Sequence, residues 1–162
     1  MLRKTLPQTA AELLRWQWSD FEPLYQELNE RDLTTENIEI WLTDWSRIQD
    51  MAWEKFNRLY YLVTANTADD DARKQYEDLL NNFMPPVLEG ENRLQKQLLE
   101  SGLEVPGLAV QIKAIRTQTE LFRQENLPLL AEEATLAAEY DRIVGAQTVN
   151  WEGEEITIPQ LG

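Results

Sequence analysis

Acidic side chains are the first candidates for chemistry in this sequence. Asp69, Asp70 and Asp71 are consecutive, whereas an EF-hand calcium loop needs ligands at alternating positions, a Gly at the sixth and a Glu at the twelfth. The segment DDDARKQYEDLL has neither of those last two residues. Three aspartates in the first turn of a helix complement the helix dipole instead. We therefore predict a helix start here and no calcium site.

Paired carboxylates such as Glu36 and Glu39 are a second candidate. A di-iron bundle requires Glu-x-x-His motifs, and the chain contains no His. Paired acids can also hydrolyse glycosides, but a solvated helix face is the more ordinary source of such pairs in an acidic chain. Ser19 has no His to activate it as a nucleophile. We assign no catalytic residue and no metal ligand to this sequence.

The missing residue types exclude several classes of active site. Without Cys there is no disulfide, thiolate nucleophile or Cys-ligated metal. Without His, Ser-His and Cys-His catalysis and His-ligated zinc are excluded as well. The 162 residues include six Trp and are 43% hydrophobic, which predicts one folded domain with a substantial core.

The net charge of −14 opposes binding to nucleic acid and to anionic membranes. No apolar run approaches the roughly 18 residues of a membrane-spanning helix. The N-terminal residues lack the continuous apolar segment of a signal peptide. We expect a cytoplasmic protein that binds neither nucleic acid nor membrane.

The aromatic stretch RWQWSDFEPLY, residues 15–25, predicts a helix start after an extended segment at residues 1–11. We expect Ser19 or Asp20 to cap a helix that runs to about Arg31, because Ser19 and Glu22 have capping-box spacing. Pro23 is tolerated in the first turn. Trp18 and Phe21 should then be buried.

A long helix is predicted from Thr35 to about Ala65, with Thr34 as its cap. Apolar residues recur every three or four positions throughout it, which favours one buried face. Trp53, Tyr60 and Tyr61 lie off this stripe and suggest burial on more than one side. Aromatic residues at helical spacing are usually core, and a ligand pocket or a protein interface is the alternative.

Helix caps and breakers divide the following residues. Thr67 should cap a helix that Pro85-Pro86 breaks with a kink or loop. The helix resumes and ends at Ser101-Gly102.

After a turn at Pro106-Gly107, a helix is predicted from Leu108 to Phe122, and Asn126-Leu127-Pro128 ends or bends it. A last helix should run from about Leu130 to Val144, with Gly145 just past its end. Residues 148–161 alternate around Gly153 and predict a β-hairpin, which is marginally stable by itself. The fold class is therefore all-α, an elongated antiparallel array of about five helices with a short C-terminal β-hairpin.

Two segments resemble a known enzyme family. RWQWSDFEPLYQELNERDLTTENIEIWLTDWSRI is similar to the N-terminus of oligoendopeptidase F-type metallopeptidases, in the thimet oligopeptidase-like group. Trp16 or Trp18 with Ser19-Asp20 resembles the family's W-x-x-S-D-like phrase before the first helix. ENLPLLAEEATLAAEYDRIVGAQTVNWEGEEITIPQL is similar to the segment before the catalytic region. The resemblance covers essentially all 162 residues.

The resemblance implies a helical zinc peptidase that cleaves oligopeptides in a deep channel. Its metal site is an H-E-x-x-H helix with a further Glu downstream, and none of these motifs is present here. Residues 1–162 then correspond to a single noncatalytic N-terminal helical region that helps wall the channel. Zinc and the oligopeptide substrate belong to the full-length enzyme, and no substrate-binding residue is assigned. The competing hypothesis is an autonomous acidic helical module that binds another protein through aromatic surface.

Overall fold

The computed structural model describes residues 2–157, which form an all-α fold with a short antiparallel β-hairpin at the C-terminal end. The helices are α1 (Ala10–Arg15), α2 (Trp18–Asn29), α3 (Ile38–Ala65), α4 (Asp70–Asp78), α5 (Met84–Glu100), α6 (Ala109–Leu121) and α7 (Leu127–Gly145). A π-helical turn, Leu79–Phe83, joins α4 to α5. The strands are β1 (Thr148–Trp151) and β2 (Glu154–Thr157). The predicted fold class is confirmed.

The hydrophobic core lies mainly between α2, α3 and the helical run from α4 to α5. Each of these helices contributes apolar residues at three- and four-residue spacing, as an amphipathic helix requires. The core side chains with essentially no exposure include Phe21, Leu24, Leu28, Trp41, Ile48, Leu79, Phe83 and Leu94. By contrast, α6 has no fully buried residue, and α7 has only Leu127 and Ala131.

The N-terminal residues form a helix that the sequence prediction missed. Residues 1–11 were expected to be extended, but α1 begins at Ala10. Thr9 caps it, because its hydroxyl accepts from the Glu12 amide at 3.2 Å. The Glu12 carboxylate in turn accepts from the Thr9 amide at 3.3 Å, which completes a capping box. Leu13 is the one buried side chain of this short helix.

The start of α2 differs from the prediction in its capping residue. Gln17 occupies the N-cap position, and Ser19 is an exposed residue inside the helix, so a Ser19 cap is wrong. Asp20 does stabilise this end, because its carboxylate accepts from the Gln17 amide at 3.1 Å. Phe21 is fully buried, as predicted. Trp18 is only half-buried and lies against the Tyr25 ring at a centroid distance of 5.7 Å.

The long helix α3 begins three residues later than predicted. The Thr34 carbonyl accepts from the amides of Asn37 and Ile38, so residues 34–37 form a turn and Asn37 becomes the N-cap. The Asn37 side chain fixes this turn by accepting from the Thr34 amide at 3.0 Å. The predicted end at Ala65 is correct.

The predicted break at Pro85-Pro86 is wrong as a loop, because the described residues stay helical from Asp70 to Glu100. The π-helical turn precedes the prolines, and the Met84 amide bonds back five residues to the Leu79 carbonyl. Both prolines then fall in the first turn of α5, where a missing N–H is tolerated. One widened turn thus takes the place of the expected loop.

Other helix ends shift by a few residues. Asp69, and not Thr67, caps α4, because its carboxylate accepts from the amides of Asp71 and Ala72 at 3.0 and 2.9 Å. Helix α7 begins at Leu127, with Pro128 in its first turn, and includes Gly145 as its last residue. These positions correct the predicted limits of Leu130 and Val144.

Glycine turns appear where the sequence placed them. Gly102 and Gly107 have φ values of 64° and 81°, a region that glycine occupies without strain. In the hairpin, Glu152 and Gly153 both have positive φ, and Val149 pairs with Ile156. The hairpin is confirmed over residues 148–157, and residues 158–161 of the prediction lie outside the described part.

Candidate functional site

A buried carboxylate, Glu91 of α5, is the centre of the most chemically distinctive cluster. Its residue is 7% exposed. One carboxylate oxygen, Oε1, accepts from the Tyr25 hydroxyl at 2.7 Å. The other, Oε2, accepts from Trp45 Nε1 at 2.8 Å and from Gln49 Nε2 at 3.3 Å. These three donors are all neutral groups.

Three helices position this cluster. Trp45 and Gln49 are four residues apart and therefore share one face of α3, while Tyr25 comes from α2. Gly90 lets α2 and α5 approach closely, because a Cβ added at Gly90 would lie 2.9 Å from Cδ1 of the Tyr25 ring. The absence of a side chain at Gly90 thus allows Tyr25 to reach Glu91.

The environment of the cluster shifts two pKa values upward. Burial raises the pKa of Glu91 because desolvation disfavours the carboxylate, while hydrogen bonds from Tyr25 and Trp45 oppose that shift only in part. Burial and the nearby Glu91 charge also raise the pKa of Tyr25. The Tyr25 hydroxyl therefore keeps its proton and remains a hydrogen-bond donor to Glu91 throughout the ordinary pH range.

A cavity of about 360 Å³ lies beside Glu91, between α3, α5 and the segment that joins α6 to α7. Asn92 lines it and is 4% exposed, yet its Nδ2 has no hydrogen-bond partner among the described residues. Trp53, Leu121 and Leu130 are exposed lining residues and place the mouth of the cavity at the surface. We call this space the Glu91 cavity.

The remaining polar lining of the Glu91 cavity consists of amide side chains and one cation, Arg123. Gln95 Nε2 donates to Gln118 Oε1 at 3.3 Å, and the Thr119 hydroxyl donates to Gln95 Oε1 at 3.4 Å. These bonds link α5 to α6 at one side of the cavity. The apolar lining comes from Trp53, Val87, Leu88, Leu121, Phe122, Leu127 and Leu130. Such a lining suits the binding of a small ligand with an apolar body and few polar groups.

Two further buried charges hold helices together. Lys55 of α3 is 4% exposed, and its ammonium donates to the carbonyls of Leu14 at 2.7 Å and Trp16 at 2.9 Å. Burial lowers the pKa of Lys55. These bonds fasten the end of α1 and the residue after it, Trp16, onto α3.

The other buried charge, Asp44, is fully buried and pairs with Arg31 at 2.7 Å. Burial by itself raises the pKa of Asp44, but the hydrogen bond and charge of Arg31 hold that pKa below its usual value. Arg31 also bonds to Glu27 at 2.6 Å. This network joins α2 to α3, so the burial of Asp44 serves the structure of the fold.

A second cavity of about 400 Å³ lies between the C-terminal part of α3, α4 and α7. Its apolar lining includes Val63, Leu80 and Ala138, and the Tyr76 side chain also lines it. Burial raises the pKa of Tyr76 to about 12. An ion pair between Arg142 and Glu139 borders the cavity.

A set of large apolar side chains on α7 and β1 is exposed to solvent. We call it the α7–hairpin surface, and it consists of Leu129, Leu130, Leu136, Tyr140, Ile143, Val144, Val149 and Trp151. Tyr140 is 66% exposed and Leu136 is 62% exposed. Scattered exposed apolar residues are ordinary, but a concentration on one helix and the following strand is typical of an interaction surface.

The acidic candidates from the sequence lie at the surface. Asp69, Asp70 and Asp71 are exposed at the start of α4, and Glu36 and Glu39 are exposed near the start of α3. The structure brings none of these five residues to the Glu91 cavity.

The aromatic residues of α3 divide into two groups. Trp41 and Trp45 are core residues, as predicted. Trp53, Tyr60 and Tyr61 are 42%, 42% and 68% exposed, so the predicted burial of α3 on their side is wrong. Their rings lie on the surface. The Tyr60 ring packs beside the buried Tyr76 ring of α4, with the two ring centroids 5.8 Å apart.

Sequence reasoning missed Glu91, although the sequence held a signal for it. Glu91 follows Val87 by four residues and precedes Leu94 by three, so it belongs to the buried stripe of α5. A carboxylate on an apolar stripe requires hydrogen-bond donors from other elements. The α5 pattern predicts that need, but only the tertiary structure identifies Tyr25, Trp45 and Gln49 as the donors.

The residues present do not fit a zinc site. Within residues 2–157, no group of three or more Asp and Glu side chains is arranged to hold a metal ion, and the sequence has neither His nor Cys. We therefore derive no metal-dependent step for this chain. Among the same residues, no helix combines the length and apolar character needed to cross a bilayer.

Comparison with known proteins adds no relative: no family model matches the chain, and no curated protein or solved structure does.

Proposed function

We propose that this chain is the noncatalytic N-terminal helical region of an oligopeptide-cleaving zinc metalloendopeptidase of the oligoendopeptidase F type. In this role it helps to wall the substrate channel, while a separate catalytic region holds zinc and carries out hydrolysis. The sequence resemblance at residues 15–48 and 125–161 motivates the proposal. A cytoplasmic location accompanies it.

The α7–hairpin surface is the observation that carries this proposal. Helix α7 has 19 residues, but only Leu127 and Ala131 are buried. Trp151 of β1 is 56% exposed, and all four residues of that strand are exposed. A helix and a hairpin with this much exposed apolar area gain stability by packing against further protein. A catalytic region that packs on this surface would supply that cover.

The same surface supports a second candidate function, an autonomous acidic module that binds a separate protein. The net charge of −14 favours a basic partner by electrostatic attraction. The two functions differ in whether the cover belongs to the same polypeptide. Reading the gene downstream of codon 162 distinguishes them, since the peptidase proposal requires an H-E-x-x-H helix there.

Activity assays test the peptidase proposal directly. We expect the purified 162-residue chain to leave a quenched fluorescent oligopeptide intact with added zinc, and the full-length gene product to cleave it in a chelator-sensitive manner. Tyr140→Lys in the full-length product should weaken activity by disturbing the proposed interface. Glu36→Lys, a charge change at an exposed residue in the turn before α3, is the control. Full-length protein without peptidase activity would contradict the proposal.

A further inference from the structure

We propose that the second cavity, between α3, α4 and α7, binds a small primary amine that carries an apolar body. We call this space the Tyr76 cavity. The proposal rests on the Tyr76 hydroxyl, on the balance of charges around the cavity and on its apolar lining. It does not depend on the peptidase proposal, because every residue involved belongs to the described chain.

The Tyr76 hydroxyl needs a partner from within the cavity. Tyr76 is 4% exposed and lines the cavity. Its hydroxyl forms no hydrogen bond within residues 2–157, yet the oxygen keeps accessible surface, so a molecule in the cavity can reach it. A buried tyrosine usually bonds its hydroxyl to a partner. For Tyr76 that partner has to come from the contents of the cavity.

The two arginines that line the cavity are already neutralised. Arg142 bonds to Glu139 at 2.5 Å, and Arg73 pairs with Asp70. The charge of Arg73 also acts on Glu139, and that of Asp70 acts on Arg142. These four side chains therefore form one network between α4 and α7 that carries no net charge. An anionic ligand would have to compete with Asp70 and Glu139 for the two arginines.

Two carboxylates of the lining are left without a cation. Glu77 of α4 and Asp141 of α7 line the cavity, and neither forms an ion pair within residues 2–157. The Asp141 charge contributes to the raised pKa of Tyr76, so it acts close to the Tyr76 hydroxyl. The two carboxylates and the hydroxyl oxygen can all accept from a primary ammonium, which has three donors. Both carboxylates are exposed, so the ammonium would lie at the rim and keep part of its hydration.

The inner part of the cavity favours an apolar body behind the ammonium head. Val63 and Leu80 are buried, Ala138 is half-buried, and all three line the cavity. The volume of about 400 Å³ is in the range for small-ligand sites. A phenyl ring or a short alkyl chain in this space loses apolar surface to water, which stabilises the complex. A primary amine with an aromatic or alkyl body meets both requirements.

The test uses phenethylamine as the probe and NMR titration of ¹⁵N-glycine-labelled protein as the measurement. We expect a saturable shift of the Gly145 amide signal, because Gly145 lines the cavity. The signal of Gly107, in a turn outside the cavity, should stay in place and show that the shift is local. Absence of a saturable Gly145 shift overturns the proposal and leaves the peptidase proposal standing.

Two probes with the same apolar body and another head test the role of the charge. Phenethyl alcohol is neutral, and hydrocinnamate carries a carboxylate. We expect phenethylamine to bind about fivefold or more tightly than the alcohol, and hydrocinnamate to bind most weakly. Equal affinity for the amine and the alcohol would identify an apolar site that does not recognise the ammonium. Tightest binding of hydrocinnamate would identify an anion site at the arginines, and either result overturns the proposal.

Asp141→Asn tests the carboxylate at the rim. It removes one negative charge from the lining and should weaken phenethylamine binding about threefold or more. Asp50→Asn makes the same change at an exposed residue of α3 that does not line the cavity, and it should leave the affinity unchanged. Equal losses in the two variants would show attraction to the net negative charge of the chain alone and overturn the proposal.

Tyr76→Phe tests the buried hydroxyl. The hydroxyl has no partner among the described residues, so its removal should leave the protein folded while weakening phenethylamine binding about threefold or more. Tyr61→Phe removes a hydroxyl from a residue that is 68% exposed and outside the cavity, and is the matched control. Unchanged affinity in both Tyr76→Phe and Asp141→Asn would place the probe elsewhere and overturn the proposal.

Discussion

At the scale of single residues, the buried carboxylates of Asp44 and Glu91 are stabilised in different ways. Asp44 has a cationic partner in Arg31, and this pairing keeps the Asp44 pKa low despite burial. Glu91 has neutral donors, and its pKa is raised. The two carboxylates therefore have opposite effects on the pH dependence of stability.

Glu91→Gln should make the protein more stable relative to wild type as the pH rises. A raised folded-state pKa contributes stability that is fully present below the unfolded value, near 4.5, and is lost as the pH rises through the folded value. Gln has no such titration, and its amide can donate to the Tyr25 oxygen while its carbonyl accepts from Trp45. Urea unfolding of both proteins from pH 4 to pH 8 measures the difference. A difference that does not change with pH would contradict the assignment.

Lys55→Met should destabilise the protein by about 1–3 kcal/mol, because the carbonyls of Leu14 and Trp16 lose their ammonium donor while the apolar stem is retained. Lys74→Met is the matched control, since the Lys74 side chain is 71% exposed. Urea midpoints of the two variants should separate clearly. Equal midpoints would show that the buried ammonium does not stabilise the docking of α1.

Residue patterns predict some of these roles but not all. Phe21 is buried as its helical spacing indicates, whereas Trp18, three residues before it, is only half-buried against Tyr25. The stripe from Val87 to Leu94 places Glu91 on the inner face of α5. Its donors come from residues 42 to 66 positions away in the chain, and local sequence patterns carry no information about such pairings.

At the scale of elements, the contact between α2 and α5 depends on Gly90. A Cβ at this position would come within 2.9 Å of the Tyr25 ring, so Gly90→Ala should displace the ring and weaken its bond to Glu91. Overpacking costs about 1–3 kcal/mol, against a gain of up to about 1 kcal/mol in helix propensity.

Gly145→Ala separates these two effects. Gly145 is also helical, but a Cβ there would lie no closer than 3.6 Å to Thr67, an ordinary contact. We expect Gly145→Ala to match or exceed the wild-type melting temperature and Gly90→Ala to fall below it. Calorimetry of the three proteins provides the comparison. A Gly90→Ala protein as stable as Gly145→Ala would show that α2 and α5 adjust without cost.

Helix boundaries show why local signals predict elements better than their ends. Several polar residues near each helix start could fix the chain there. Before α3 the structure uses Asn37, whose side chain bonds the Thr34 amide of the preceding turn, and at α4 it uses Asp69, which bonds two helix amides. At Pro85-Pro86 the sequence shows that two amide donors are missing, but it does not show how the backbone accommodates their absence. A π-helical turn keeps the chain helical there, because α4 and α5 continue along the same core.

At the scale of the whole molecule, the core and the α7–hairpin surface make unequal contributions to stability. The core is built from α2 to α5, where side chains such as Leu24 and Ile48 have no exposure. Helix α7 and the hairpin lie at its edge with their apolar residues exposed. The sequence predicts each apolar periodicity, but whether a given apolar face is covered depends on what packs against it.

This division predicts a sharp contrast between two substitutions in the isolated chain. Leu24→Ala removes a fully buried side chain and should cost about 2–5 kcal/mol. Tyr140→Lys changes a side chain that is 66% exposed and should alter stability by no more than about 0.5 kcal/mol. The same Tyr140→Lys change should weaken any complex that covers the α7–hairpin surface, because it places a charge in an apolar contact. Urea unfolding measures the first pair of effects, and analytical ultracentrifugation with the covering protein measures the last. A large loss of stability in isolated Tyr140→Lys would mean that this surface serves the chain's own fold and is not an interface.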